Sequence, residues 1–321
     1  MKSKNQKAKI KRQKAKGRHF IFSFDKSGVA FRFISNLKSQ ISDQLNSLLL
    51  RLVFCLLPFT LSLAQPRVAV LDFRGETEAS NHLRKVVRPS EFTLVDPDQM
   101  NIALKGAGYS GSLNLTLDEA RALGLSIGCD YYVIGLAKVV RRLASEQEFY
   151  FDVMVAAFLV ETRSGKLLRF SFEQAQVAKE SLANQQLAEL VETIWRQSTD
   201  AIKSTAQEIT NNQPAGLYDL ASDEAVKLNI KPPQFYRRIK PDYTATAEFA
   251  GVTATIELKA VFQSDGRIGA VEVIRWGGFG LDESSVATVR QLRFEPAKLN
   301  GRPTSVSAVV QYNFRKEEKG K

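Results

Sequence analysis

Residues 253–276 read TATIELKAVFQSDGRIGAVEVIRW. Apolar side chains recur at every second position, Ala254, Ile256, Leu258, Ala260 and Phe262, which is the period of a strand with one buried face. Asp265-Gly266 supplies the turn, and Ile268 to Trp276 returns as the paired strand. Gly277, Gly278 and Gly280 interrupt the run, and Asp282 to Leu292 has helical spacing with Val286 and Val289 facing inward. Phe294-Glu295-Pro296-Ala297, an Asn300-Gly301 turn and an alternating strand from Val306 to Phe314 complete the region. The order helix, hairpin, helix, strand predicts a small α+β domain over 240–315, a three-stranded antiparallel sheet with two helices, followed by a charged tail at 316–321.

Working back from that domain, residues 211–239 contain Asn211-Asn212, Pro214, Gly216 and Pro232-Pro233, which read as a linker with a short helix near Asp223 to Leu228. Residues 66–210 alternate strand and helix signals. Arg67 to Phe73 and Phe92 to Val95 are short apolar strands. Asp96-Pro97 caps a helix whose apolar face is Met100, Ile102, Ala103 and Leu104. Thr116 to Glu119 forms a capping box for a helix that Gly124 is suited to end. Asp130 to Gly135 returns as a strand. Gln147 to Val160 alternates, with Phe149, Phe151, Val153, Val155, Ala157 and Leu159 on one face, and turns at Arg163-Ser164-Gly165 into a hairpin with Leu167 to Phe172. From Glu180 to Thr210 an amphipathic helix packs Leu187, Leu190, Val191, Ile194, Ile202 and Ile209 onto the sheet. The expected class is an α/β domain with a mixed sheet.

The chain of 321 residues carries 45 Lys and Arg against 34 Asp and Glu, a net charge of +11. Thirteen of the basic side chains and only Asp25 and Asp43 lie before Leu52, so that stretch holds the whole excess and the remainder is balanced. The charge is therefore no signature of nucleic-acid binding. Leu48 to Ala64 follows, about 25 Å long as a helix against a hydrocarbon core of roughly 30 Å. Ser62-Leu63-Ala64 fits signal cleavage before Gln65, and an uncleaved inner-membrane anchor is the alternative. Residues 1–64 are a basic leader in either case. Everything from Pro66 onward is then exported, periplasmic or anchored with periplasmic domains, and the amino-terminal residue of the protein in cells separates the two.

Beyond the leader Cys129 is the only Cys and His82 the only His, so no internal disulfide and no multi-His metal site is available. No paired carboxylates and no nucleophile with a base stand out, and the expectation is a protein without enzymatic activity or cofactor. Gly106 to Gly111 fits G-x-G-x-x-G but follows a helix, the reverse of a dinucleotide-binding turn, and reads as a flexible turn.

The elements KPDYTATAEFAGVTATIELKAVFQSDGRI (240–268), LDESSVATVRQLRFEPAKLNGRP (281–303) and VSAVVQYNF (306–314) resemble the C-terminal domain of TonB, the periplasmic energy transducer of Gram-negative bacteria. That resemblance implies docking on outer-membrane TonB-dependent receptors by addition of a peptide strand, the TonB box, in support of transmembrane transport. A strand of about 33 Å from Ser305 to Phe314 at a sheet edge would be a template for it. Carried over by position, the partner-binding residues are Lys240, Pro241, Asp242 and Tyr243 in the loop, and Val306, Ala308, Val309, Val310, Gln311 and Tyr312 in the strand. Residues 67–172 resemble, in order of elements, the envelope α/β domains of CsgG and of the amino-terminal part of TolB.

The chain departs from the TonB pattern in its leader, where Leu48 to Ala64 lacks the His that couples to the motor proteins ExbB and ExbD, and in having only 10 Pro where TonB has a Pro-rich spacer. The alternative role is a structural envelope adaptor without energy coupling. Partners left open are a receptor, another envelope protein or a second copy of the chain.

Overall fold

The computed structural model describes residues 65–143, 149–205 and 217–316, so the leader with its signal or anchor, Ile209, the start of the linker and residues 317–321 lie outside the described residues. Residues from Gln65 onward form one compact unit.

The first part runs β1 (Arg67–Val70), β2 (Arg74–Gly75), α1 (Thr77–Val86), β3 (Thr93–Leu94), α2 (Pro97–Gly106), α3 (Leu117–Ile127), β4 (Tyr131–Leu143), β5 (Phe149–Glu161), β6 (Leu167–Val177) and α4 (Glu180–Thr205). Its six-stranded sheet has the order β3-β1-β4-β5-β6, with β2 also on β4. β1 pairs parallel with β3 and β4, while β4, β5 and β6 are antiparallel, so the sheet is mixed as expected. Among the described residues no helix is long and apolar enough to cross a membrane.

Two local signals act as the sequence indicates. Asp96 accepts from the amides of Asp98 and Gln99 at the start of α2. Thr116 and Glu119 close both halves of the capping box of α3, at 3.2 and 2.8 Å. Three readings need correcting. Ile102 is 73% exposed, leaving Met100 as the fully buried residue of α2. α3 does not end at Gly124 but runs to Ile127 and closes on left-handed Gly128. Gly124 is a packing position instead, since a Cβ there would lie 2.2 Å from the Thr162 hydroxyl.

The third correction concerns β5. Its alternating pattern suggests one buried face, yet Val153 to Val160 are buried on both. Val153, Val155, Ala157 and Leu159 join the cluster under α1 and α4 that includes Leu187, Val191 and Ile194. Met154, Ala156, Phe158 and Val160 join a second cluster on the opposite face. Val153 to Val160 is an unbroken apolar run, which is how a strand covered on both faces differs from one with a solvent face.

The C-terminal part supplies much of that second cover. It runs β7 (Tyr218–Asp219), α5 (Asp223–Lys227), β8 (Gln234–Phe235), α6 (Ala245–Ala250), β9 (Ala254–Phe262), β10 (Ile268–Arg275), α7 (Leu281–Arg290), β11 (Phe294–Glu295), β12 (Ala297–Leu299), β13 (Arg302–Thr304) and β14 (Val306–Phe314). Its main sheet has the order β10-β9-β14-β7. β10, β9 and β14 are antiparallel, and the sheet is four-stranded where the sequence predicts three strands, because β7 adds a strand parallel to β14 at Val306 and Ser307. The second cluster contains Ala69, Leu71 and Phe158 from the first part together with Ile256, Trp276, Phe279 and Val289 from the second. The described portion of the expected linker is bound to this body: β8 pairs with β11, and Lys231 exchanges main-chain hydrogen bonds with Lys298 at 2.9 and 3.0 Å.

One side chain stitches the two parts together. Asn114 donates to the carbonyls of Thr255 (2.9 Å) and Trp276 (2.7 Å) and accepts from the Thr255 amide (3.0 Å). The amide functions as an extra strand rung at the end of β9 and β10, where Thr116 also bridges to Arg275 and the Trp276 amide donates to Leu115. Beside it the Trp276 ring, 1% exposed, lies 5.5 Å from Phe158, and Phe279 lies 4.8 Å from Phe170. Gly278 has φ +68°, and a Cβ there would sit 2.6 Å from both phenyl rings, so the close approach of this turn requires glycine.

The same turn holds a buried carboxylate. Asp282 accepts from the amides of Gly277 and Gly278, both at 2.9 Å. Burial dominates over those two bonds and pushes its pKa up to about 6. A carboxyl whose folded pKa is raised contributes stability that is present below its unfolded pKa and is lost as pH rises through about 6. An NMR titration of the Asp282 carboxyl carbon should give a midpoint near 6, and a midpoint in the ordinary Asp range near 4 contradicts this.

Because both parts share one core, residues 65–321 should unfold in a single cooperative transition. Trp276→Ala should cost about 3–5 kcal/mol, read as a shift in the denaturant midpoint that moves both parts together. Two separate transitions in the native protein would show that the cores are independent.

Candidate docking edge

The face and the edges of the C-terminal sheet follow from its sequence. β9 is central and alternates between buried and half-exposed residues along its whole length. β14 pairs with it over nine residues, from Val306 opposite Phe262 to Phe314 opposite Ala254. β10 lies on the side of the first part, where Glu272 meets Lys166 at 2.6 Å and the Arg275 guanidinium lies 3.5 Å from Glu119. The strand order therefore puts β14 on the side away from that junction.

In an antiparallel ladder, main-chain groups point alternately to one neighbour and to the other. The Ser307 carbonyl accepts from the Leu220 amide at 3.0 Å, which aims Ser307 away from β9. By the same alternation Val309, Gln311 and Asn313 aim their amides and carbonyls outward, while Ala308, Val310 and Tyr312 are turned toward β9. β7 covers only Val306 and Ser307. Among the described residues no strand other than β9 pairs with Ala308 to Phe314, which leaves an open outer edge of about 24 Å.

The ten residues carried over by position divide accordingly. Val306 is fully buried and has strands on both sides, which removes it from the open edge. Val309, 51% exposed, and Gln311 offer main-chain groups on the edge and side chains on the solvent face. Ala308, Val310 and Tyr312 turn half-buried side chains toward the core and contribute shape rather than hydrogen bonds. Asn313 belongs with Val309 and Gln311. The parity of the alternating run would have identified it, because Val309 and Asn313 share phase.

The loop residues lie alongside. The Tyr243 ring stacks 6.4 Å from Phe314 at the far end of β14, and its hydroxyl lies 2.7 Å from the Val252 carbonyl and 3.1 Å from that of Ala247. Burial raises the Tyr243 pKa, so the phenol stays protonated. Asp242 accepts from the Ser284 hydroxyl through its carbonyl at 2.9 Å, tying the loop to α7. Lys240 is exposed and Pro241 half-buried. Tyr243 thus supports the end of the edge strand, and only Lys240 and the Asp242 carboxylate are held free toward solvent.

Comparison with known families now bears on this sheet. The family model described as Gram-negative bacterial TonB protein C-terminal matches residues 239–315. Residues 239–315 are thus similar to a TonB C-terminal domain.

The match takes in β9 to β14 and leaves out β7, β8 and the whole first part. No curated protein matches the chain. Among solved structures, the LpoB C-terminal domain from Salmonella enterica is 18% identical, covers 35% of this chain and 83% of that one, and has a TM-score of 0.26. Lipoprotein GNA1162 from Neisseria meningitidis is 13% identical over 42% of this chain and 99% of its own, with a TM-score of 0.31. The PelC dodecamer from Paraburkholderia phytofirmans, in a variant with a single Leu-to-Met substitution, is 11% identical over 40% of this chain and 85% of its own, with a TM-score of 0.28. Scores this low establish neither a shared fold nor a shared role.

The outward parity of the edge makes a structural prediction. Val309→Pro removes an amide aimed at solvent and should leave the β9 ladder and the melting temperature close to native, whereas Val310→Pro removes a ladder bond and should cost about 3 kcal/mol or more. Equal destabilisation by the two, measured by thermal unfolding, would reverse the assigned parity.

Proposed function

We propose that this chain is a TonB-family protein of the Gram-negative envelope that docks on outer-membrane transporters by accepting one of their segments as an added strand on β14, in support of TonB-dependent transport. The observation that carries the reading is the unpaired run from Ala308 to Phe314, on a strand whose other side is fully laddered to β9. An added strand would gain main-chain hydrogen bonds at Val309, Gln311 and Asn313, each worth about 0.5–1.5 kcal/mol net. Specificity would come from the half-buried side chains of Ala308, Val310 and Tyr312 and from Lys240. The role is binding without catalysis, and no cofactor enters it.

A structural adaptor without energy coupling is the second reading. The shared core of the two parts favours it, since a folded body joined through Asn114 and Trp276 stands where TonB carries an extended Pro-rich spacer. Such a body transmits the position of the docking edge rigidly. A mature amino terminus at Gln65 would detach the protein from ExbB and ExbD and favour the adaptor, while a retained leader would favour the transducer.

Residues 65–321 should bind synthetic TonB-box peptides, and Val309→Pro should weaken that binding at least about tenfold in a calorimetric titration while the protein remains folded. Unchanged affinity in a folded Val309→Pro variant would remove strand addition at this edge.

A further inference from the structure

We propose that β7 is a register stop for the docking edge: residues 218–220 occupy its amino-terminal end, so that an incoming strand is confined to Ala308–Phe314, and the Asp219–Lys259 pair holds the stop in place. This rests on the docking reading above and adds a determinant that the TonB C-terminal match does not contain, because β7 lies outside residues 239–315.

The geometry of β7 carries the inference. It lies on the line that an added strand would take, parallel to β14, with Tyr218 opposite Val306 and Asp219 opposite Ser307. It then leaves that line abruptly. The Asp219 carboxylate accepts from the Ala221 amide at 2.9 Å, and its carbonyl accepts from the Ser222 amide at 3.0 Å and the Ser222 hydroxyl at 2.6 Å. This is a side-chain-directed turn of the kind Asp makes, and Ser222 at once caps α5 through the Ala225 amide. The chain is thus steered off the edge where the open run begins.

A strap reinforces the turn. Lys259 on β9 is opposite Val309, and its ammonium reaches the Asp219 carboxylate at 2.6 Å. Asp219 and Lys259 sit on strands either side of β14, so the pair crosses over β14 between Ser307 and Val309. Tyr218 and Leu220 pack against the core on either side of Asp219. The ammonium holds the Asp219 carboxyl below its ordinary pKa, in keeping with an ionised strap. A partner strand reaching Ser307 would have to break this pair, the Leu220–Ser307 bond and the Asp219 turn together. One of about seven residues fits without breaking any of them.

Two synthetic peptides of alternating Thr and Val, about seven and about eleven residues long, test this with the Gln65–Lys321 unit and amide hydrogen exchange read by NMR. In the native protein both peptides should slow exchange at Val309, Gln311 and Asn313, bind with equal affinity, and leave Leu220 and Ser307 protected. In Lys259→Met, which removes the strap and keeps the turn, and in Asp219→Ala, which removes both, the longer peptide should gain about two- to fivefold in affinity over the shorter, the worth of an exposed ion pair, and Leu220 should lose protection. If the longer peptide already exposes Leu220 in the native protein, or if neither variant gains a length preference, β7 is no stop. If no peptide slows Val309, Gln311 and Asn313 in any of the proteins, the docking reading fails and the stop fails with it.

Discussion

The nine-residue ladder between β9 and β14 is the constraint on which the account rests. It fixes which main-chain groups of β14 are spent inside the sheet and which face outward, and it does so without reference to any side chain. Phe262 and Phe314 anchor its two ends in the core, so a slip by one residue would turn Ile256 and Leu258 to solvent. A strand so firmly registered on one side and unpaired on the other is a rigid template. An added strand would find its partner groups already in line, which spares the ordering cost that a flexible loop would impose.

The first part of the chain bears on this through the opposite edge. β10 is held at the junction by Lys166, Glu119 and the Asn114 rung, so one end of the sheet is committed to the neighbouring body. An exposed strand edge is a hazard for aggregation. Here one edge is joined to the larger body and the other is shortened by β7, which leaves a defined length open.

The sequence made the C-terminal domain legible because period-two alternation, an Asp-Gly turn and an Asn-Gly turn each have a single physical reading. Asn300 and Gly301 do adopt left-handed angles between β12 and β13, and Gly266 does so in the turn between β9 and β10. β5 misled on one face because Tyr150 and Asp152 open that phase as polar, although Met154, Ala156, Phe158 and Val160 continue it as apolar. α1 went unread because Thr77 to Val86 is polar apart from the residues facing the core, and its amino end has no side-chain cap. The union of the two parts was illegible for a different reason. It depends on Asn114 finding Thr255 and Trp276 more than a hundred residues away, and a loop Asn carries no periodic signal. At the site, the edge strand was readable, but the exclusion of Val306 required β7, whose two residues lie in a stretch that composition marks as linker.

In the proposed docking, the open run of β14 meets an outer-membrane transporter. Site-specific photocrosslinking in cells tests it most directly, with a photoreactive side chain placed in turn at Gln311 and at Ile102, an exposed residue of α2 outside the docking edge. Docking on β14 should give covalent adducts with an outer-membrane transporter from Gln311 and none from Ile102. Adducts from Ile102 alone, or none from Gln311 in cells where the transporter is active, would contradict it.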